Sequence, residues 1–388
     1  MKKKIIILGS TGSIGKNLFQ ILKKDKKKFE ILLLSINKNY NELLKQLKIF
    51  KIKNIIIIDK NIYIKAKKNL KNYNINIYNN FNSIKKILKG KRVDYTMSAI
   101  SGLSGLQPTL EVIKYTNNIA VANKESIICG WELILNNLKK YKCNFIPVDS
   151  EHFSIMSLIN NQNTDTIDKI YITASGGPFN KYPLKKFKSI TIQSALNHPN
   201  WKMGKKITID SATMMNKVFE IIEAKKIFNI SYNKLNILVH PKSYIHALVK
   251  FSNGLTKILI HDTDMKIPIF NSLYLSSEKK LISKKLNLNI LNNLNLHNVN
   301  QKRFPSVKIL NLLPKKNSLF ETIIVSANDK LVEMFLNKRI KFLDISKVLL
   351  KILKLKEFTK YKKILPQDVA QIEQLSKYVS LKIEALSI

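Results

Sequence analysis

Cysteine is scarce in this chain. Cys129 and Cys143 are the only two among 388 residues, which excludes a disulfide framework and provides no metal-ligand spacing. Long apolar runs are missing too: no stretch reaches the ~18 uncharged apolar residues that a membrane span requires. Met1-Lys2-Lys3-Lys4 followed by Ile5 to Leu8 faintly resembles a secretion signal. Its apolar part is too short, however, and it leads into a glycine loop instead of a small-residue cleavage site. A reducing, cytoplasmic setting with no membrane contact is the expectation. Acidic residues and arginine are also in short supply. With 26 Asp and Glu against 67 Lys and Arg the formal net charge is +41, yet all but three of those cations are lysine. Base readout leans on arginine forks, the lysines are spread along the whole chain, and no helix-turn-helix, zinc-finger or RNP-type pattern is present. A specific nucleic-acid partner is therefore not expected; nonspecific sticking at low salt is.

What is present is enough apolar material, 45% of the residues, to bury two or three cores. Residues 1–150 alternate short apolar runs with amphipathic ones. Strands are expected at Lys4–Leu8, Ile31–Ser35, Asn54–Ile58, Asp94–Ser98, Ile119–Ala122 and Asn144–Val148. Ile14, Leu18, Phe19, Ile21 and Leu22 are spaced for one helical face between the first two. This pattern predicts an α/β protein that opens with a doubly wound parallel, Rossmann-like sheet. Residues 151–275 keep mixed α and β character. Residues 276–300 shift toward Leu, Asn, Lys and Ser without glycine or proline and read as a linker, partly helical. From 301 to 388 helical periodicity (Val332, Phe335, Leu336; Val348, Leu349, Ile352, Leu353) predicts a small helical domain.

Gly9-Ser10-Thr11-Gly12-Ser13-Ile14-Gly15 follows the first strand and opens a helix. Glycines there allow a tight turn and let backbone N–H groups and the helix N-terminus meet a pyrophosphate. The spacing is one residue longer than the usual dinucleotide fingerprint. After the second strand, Ser35-Ile36-Asn37-Lys38-Asn39 has no carboxylate to accept from a ribose 2′-hydroxyl, and this favours NADPH over NADH. Tyr63/Lys67 and Tyr182/Lys186 formally match a short-chain-dehydrogenase pair, but with 14 tyrosines among so many lysines about two such matches arise by chance.

Further polar runs follow other strands. Asn123-Lys124-Glu125 lies at the carboxyl end of a strand, where such folds bind ligands; alone it reads equally as a polar loop. In Pro147-Val148-Asp149-Ser150-Glu151-His152, extended backbone would aim Asp149 and Glu151 at one point. Converging carboxylates need a cation, and hard oxygens suit Mg²⁺ or Mn²⁺; a solvated turn is the plainer alternative. Ser175-Gly176-Gly177 is a second glycine turn, either a phosphate cradle or a simple reversal. Asp210 or Ser211 is expected to cap a helix on which Asn216, Lys217 and Glu220 share one face. That face is either a ligand site near a helix N-terminus or an exposed, salt-bridged surface.

Taken together, and in this order, Gly9–Gly15, Ala122–Ser126, Pro147–His152, Ser175–Phe179, His198-Pro199-Asn200-Trp201-Lys202-Met203-Gly204 and Asp210–Lys217 make the chain resemble the 1-deoxy-D-xylulose 5-phosphate reductoisomerases. His240–Ser243 and Asp262–Met265 add to the likeness, and Ser326-Ala327-Asn328-Asp329 fits loosely. The resemblance implies that residues 1–150 are an NADPH domain, 151–275 a catalytic and dimerising domain and, beyond the 276–300 linker read from composition, 301–388 a helical domain, in a homodimer acting on a small sugar phosphate. It implies that Asp149, Glu151 and Glu220 hold the divalent ion, Mg²⁺ or Mn²⁺, and that Lys124 touches the substrate near its reacting carbons. Ser150 would meet substrate hydroxyls, while Ser175, Ser211, Asn216 and Lys217 would hold the phosphate. His198, Trp201 and Met203 would belong to a lid, with His198 also among the catalytic groups. Thr11, Gly12, Ser13, Ile14, Asn37, Lys38, Asn39, Asn123, Glu125 and Gly204 would contact NADPH. Asn37 stands where the family usually has glycine. The implied reaction is a metal-assisted retro-aldol and aldol rearrangement of 1-deoxy-D-xylulose 5-phosphate, then hydride reduction to 2-C-methyl-D-erythritol 4-phosphate, on the non-mevalonate route to isoprenoids.

Overall fold

Every strand expected in the first 150 residues forms, and one more joins them. The strands are β1 (Lys3–Leu8), β2 (Phe29–Ile36), β3 (Asn54–Ile57), β4 (Asn76–Tyr78), β5 (Val93–Ser98), β6 (Thr116–Val121) and β7 (Asn144–Pro147). The computed structural model describes residues 2–160, 162–274 and 279–386. All seven strands pair in parallel, in the order β4-β3-β2-β1-β5-β6-β7. The winding reverses between β1 and β5, so the loops after these two strands flank the switch point where such sheets bind ligands. Ile5, Ile6, Ile7 and Leu8 are fully buried, as expected of a central parallel strand covered on both faces. The helix Ser13–Lys24 buries Leu18, Phe19, Ile21 and Leu22.

The first glycine loop is dictated by backbone geometry. Gly9 has φ +78, and a Cβ there would sit 2.6 Å from the Ala99 carbonyl oxygen; a Cβ on Gly15 would meet the Gly9 carbonyl oxygen at 2.5 Å. Hydrogen bonds that the sequence did not reveal fix the loop from behind. Gly9 N donates to Ser35 Oγ (2.9 Å), Ser10 Oγ donates to Gln46 Oε1 (2.8 Å), and Gln46 Nε2 donates to the Ser10 carbonyl (2.9 Å). Asn37 is not among the residues of positive φ, so the backbone at that position does not require glycine.

A second sheet is built from β8 (Ile167–Ala174), β9 (Leu235–Val239), β10 (Ile245–Phe251), β11 (Thr256–Ile260) and β12 (His297–Asn298), ordered β11-β10-β8-β9-β12. β8 and β9 are parallel and the other pairs antiparallel. Of the expected linker, residues 276–278 lie outside the described residues. The rest contains the short helix Leu288–Leu291 and supplies the edge strand β12. Helices Phe320–Leu336, Phe342–Ile352 and Val369–Glu384 form the C-terminal part, with Val332, Phe335, Leu349 and Ile352 buried as their periodicity requires. The chain forms two compact units, residues 1–126, 132–149 and 265–281 in one and 127–131, 150–264 and 282–388 in the other. The helix Lys266–Leu273 joins the first unit, where Ser272 Oγ lies 2.8 Å from the buried Tyr95 hydroxyl.

Substituting Gly15→Ala is expected to destabilise the protein by about 1–3 kcal/mol, because the new methyl meets unyielding backbone. Gly12→Ala, whose Cβ would have only Gly9 O at 3.4 Å, should cost less. Urea unfolding midpoints of the two variants check the ranking, and equal midpoints would contradict it.

Candidate metal and phosphate site

The site is assembled at strand ends. Asn123 caps the helix Lys124–Tyr141, its Oδ1 accepting from Ser126 N (2.8 Å), while its Nδ2 donates to the carbonyls of Ile100 and Gly102. One side chain thus ties the loop after β6 to the loop after β5. Lys124 begins that helix, is buried, and brings its Nζ to 3.4 Å from Asp149 Oδ2. Glu125 is buried in the first helical turn.

Asp149 and Glu151 converge, but not through strand alternation as expected. β7 stops at Pro147 and a helix, Ser150–Ile159, starts at once. Asp149 therefore stands at the turn, and Glu151 lies in the first turn of the helix. One carboxylate oxygen from each of Asp149, Glu151 and Glu220 falls within 4.8 Å of the others, the only such acidic group with metal-ligand geometry among the described residues. Ser150 Oγ donates to Glu151 Oε2 (2.5 Å), and His152 Nε2 lies 2.9 Å from the Glu220 carbonyl oxygen, holding the helix Met215–Phe228 against Ser150–Ile159.

The expected cap at Asp210 or Ser211 is not found. Both residues lie inside a separate helix, Lys205–Ala212, and the next begins only after Met214, which adopts the left-handed conformation at φ 66. Asp210 is buried with its carboxylate already engaged by Asn328 and Lys206, so it has no free oxygen pointed at the start of the following helix. The shared face downstream does form. Asn216 Nδ2 donates to Glu220 Oε1, and Lys217 Nζ reaches Glu220 Oε2 at 2.6 Å and Glu151 Oε1 at 2.5 Å. Lys217 and Glu220 are buried, Glu220 being only 1% exposed, and Asn216 is partly buried, which removes the solvated-face reading.

The donor set fits a hard divalent cation. Asp149 is paired with Lys124, and Glu151 and Glu220 share Lys217. The oxygens are the ligand type that Mg²⁺ and Mn²⁺ take, and no thiolate or imidazole competes within the group.

A second cluster is centred on His198. Its Nδ1 accepts from the backbone N–H groups of Asn200 (3.2 Å) and Trp201 (3.0 Å), so the neutral ring carries its proton on Nε2. That nitrogen is 3.1 Å from both Ser175 Oγ and Ser211 Oγ. Burial, reinforced by the nearby Lys217 ammonium, pushes the His198 pKa down to about 4. Ser175 Oγ also accepts from Gly177 N (3.0 Å). The run that follows is pinned through Asn200, whose Nδ2 donates to the Pro241 carbonyl (2.7 Å) and Ser243 Oγ (2.8 Å). Trp201 and Met203 are partly exposed, and Gly204 precedes the helix Lys205–Ala212. In the first unit, Thr11 and Ile14 are partly exposed and Gly12, Ser13, Asn37, Lys38 and Asn39 exposed. Asn39 also caps the helix Tyr40–Ile49 by accepting from Glu42 N (3.1 Å). Sequence reasoning gave no role to His152, Asn200 or Gln46, whose partners are far away in the chain.

Family models for 1-deoxy-D-xylulose 5-phosphate reductoisomerase match residues 5–130, and models for its C-terminal domains match 145–228 and 260–380. A 1-deoxy-D-xylulose 5-phosphate reductoisomerase of Pelagibacter ubique is 59% identical over 387 residues, covering 100% of both chains. One from Wolbachia pipientis is 40% identical over 352 residues, 89% of each. Among solved structures, the Zymomonas mobilis reductoisomerase in complex with NADPH superposes with a TM-score of 0.89 at 30% identity over 100% of both chains. A reductoisomerase in complex with NADPH, fosmidomycin and magnesium gives 0.89 at 28% identity, covering 99% of this chain and 98% of that one.

The tautomer and the depressed pKa generate a prediction. In ¹⁵N NMR of the imidazoles, His198 should remain neutral with its proton on Nε2 down to about pH 5, well below the ordinary histidine range. Its burial as a neutral ring contributes stability that is complete above the unfolded-state pKa near 6.5 and is lost as pH falls toward about 4. An imidazolium signature for this residue at pH 6 would contradict the geometry.

Proposed function

This chain belongs to the 1-deoxy-D-xylulose 5-phosphate reductoisomerase family, and from that premise we propose which of its residues do what. The family reaction converts 1-deoxy-D-xylulose 5-phosphate into 2-C-methyl-D-erythritol 4-phosphate with NADPH and a divalent cation. We assign Asp149, Glu151 and Glu220 to the ion, Mg²⁺ or Mn²⁺. The observation that carries this assignment is the convergence of three carboxylates from a turn and two helices within 4.8 Å. Lewis-acid polarisation of the ketone and its neighbouring hydroxyl comes from the ion when bound, and the hydride comes from NADPH.

Every other contribution is made by side chains of this protein. The Lys124 ammonium, beside Asp149, orients the reacting end and favours negative charge developing on its oxygens. Ser150, hydrogen-bonded to Glu151, meets substrate hydroxyls. Ser175, Ser211, Asn216 and Lys217 hold the phosphate, whose binding energy positions the remote reacting carbons. His198, kept neutral, serves as an Nε2–H donor linking Ser175 and Ser211 and does not titrate with the substrate phosphate. Trp201 and Met203, beside it in sequence, exclude water over the reactive fragments. Thr11, Gly12, Ser13, Ile14, Asn37, Lys38, Asn39, Asn123, Glu125 and Gly204 form the NADPH set. Residues 1–150 act as the cofactor domain, 151–275 as the catalytic and dimerising one, 276–300 as a connection and 301–388 as a helical support. No helix among the described residues is long and apolar enough to cross a membrane, and we place the protein in the cytoplasm as a homodimer.

Glu220→Gln should weaken divalent-ion binding and lower turnover at least ~100-fold. Titration of Mn²⁺ by electron paramagnetic resonance together with NADPH oxidation tests this. Normal ion affinity and normal turnover would remove Glu220 from the metal set. Lys217→Ala should raise the KM for the sugar phosphate far more than that for NADPH; a proportional rise in both would count against a phosphate role.

A further inference from the structure

The run Ser326-Ala327-Asn328-Asp329 has no place in the assignments above, yet Asn328 is fully buried in the middle of the helix Phe320–Leu336. Its Nδ2 donates to Asp210 Oδ1 at 2.7 Å across 118 residues of sequence. Asp210 is itself 1% exposed, and its other oxygen lies 3.0 Å from Lys206 Nζ, which also reaches Asp329 at 2.9 Å. A buried carboxylate is costly unless it is paired and hydrogen-bonded. Here the amide and the ammonium together satisfy it, and the helix Lys205–Ala212 is fixed in rotation and height against Phe320–Leu336.

Ser211 is the next residue. Successive side chains on an α-helix point about 100° apart, so anchoring Asp210 inward fixes where the Ser211 hydroxyl points. That hydroxyl is 3.1 Å from His198 Nε2. Its backbone is constrained from the opposite direction as well. Gly177, at φ +62, packs so closely that a Cβ there would stand 2.9 Å from the Ser211 carbonyl oxygen. The Ser175–Gly177 turn and the Ser211 backbone are therefore in contact, while the Asp210 carboxylate is held by Asn328 from the distant helix and by Lys206 from its own.

We propose that Asp210, held by Asn328, is a positioning residue that aims the Ser211 hydroxyl at the phosphate of the substrate. Through it the C-terminal helix Phe320–Leu336 sets affinity for that phosphate without touching it. This inference rests on the assignment of Ser211 to the phosphate.

The test uses the full chain with NADPH and Mg²⁺, comparing 1-deoxy-D-xylulose 5-phosphate with the same sugar lacking phosphate. Asp210→Asn should raise the KM for the phosphorylated sugar about tenfold, because the charge that strengthens the Asn328 bond and pairs with Lys206 is removed. Its kcat should stay within about twofold, and the KM for NADPH and the kcat/KM for the unphosphorylated sugar should not change. The exchange Asp210→Asn with Asn328→Asp restores an amide-to-carboxylate bond across the same gap and should recover most of the lost affinity. Equal losses on both sugars, or a folded exchange variant with no recovery, would overturn the proposal. Should Asp210→Asn not fold, Asn328→Ser provides the same comparison; failure of both to fold would make the pair a stability element and overturn it too. Ser211→Ala separates the two layers. If it leaves the preference for the phosphorylated sugar intact, the phosphate assignment of Ser211 is wrong. If it abolishes that preference while Asp210→Asn does not, the positioning role alone fails.

Discussion

The Lys217 ammonium, set between Glu151 and Glu220 at 2.5 and 2.6 Å, is the interaction on which the geometry of the carboxylate cluster depends. Helical spacing brings Lys217 beside Glu220, but only tertiary packing brings it to Glu151 on the helix Ser150–Ile159. Without it two almost fully buried carboxylates would face each other, and losing one partner of such a group costs about 3–5 kcal/mol. Burial, with the same cation adding to it, lowers the pKa of His198 and keeps that ring a neutral donor next to two serine hydroxyls. A single positive charge thus brings two carboxylates together and adds to the effect of burial on a neighbouring histidine. The hydrogen bond of His152 to the Glu220 carbonyl adds a second tie between the same two helices.

The architecture was largely legible in the sequence because its signals are local. Runs such as Lys4–Leu8 and Ile119–Ala122 are short, apolar and followed by glycine or polar turns, and each became a strand. β4 escaped because Asn76-Ile77-Tyr78 is three residues long and begins with asparagine, too short for any periodicity. The trio Asn216, Lys217 and Glu220 was readable from spacing alone, since positions three and four apart on a helix must meet. The start of that helix was not. Asp210 and Ser211 have ideal capping side chains, but Met214 in a left-handed conformation divides the segment into two helices, and nothing about methionine announces such a break. Likewise Asp149 and Glu151 converge through a strand-to-helix turn rather than along extended backbone. The sequence pattern is compatible with both geometries.

Composition also becomes intelligible once partners are visible. Lysine outnumbers arginine so heavily that the three arginines stand out, and Arg92 uses two nitrogens of its planar fork at once. Arg92 reaches the carbonyls of Tyr141 (2.8 Å) and Lys142 (3.1 Å) and also bonds Asn117. Arg303 donates to the carbonyls of Phe179 (2.8 Å) and Tyr182 while stacking over Phe187, which secures the segment leading away from the Ser175 turn. Arg339 pairs with Glu384 at 2.9 Å. A compact ammonium on a flexible stem cannot bridge several carbonyls in this way. The chain thus combines a large lysine excess with a few arginines placed at backbone carbonyls and a carboxylate.

The polar groups that matter most lie where a strand hands over to a helix or turn: Gly9–Gly15 after β1, Asn123 and Lys124 after β6, Asp149 to Glu151 after β7, and Ser175–Gly177 after β8. At such junctions the strand ends in a fixed direction and the first N–H groups of the next helix are unpaired, so a few side chains acquire both a defined position and a local field. The requirement is severe only over a handful of residues. Gly15 has no room for a methyl group and Asn123 uses both ends of its amide, whereas exposed Lys38 carries no comparable constraint. A chain can accordingly shift toward lysine, asparagine and isoleucine across its exterior and linkers while these junctions remain bound to one chemistry, because there the backbone itself selects the residue.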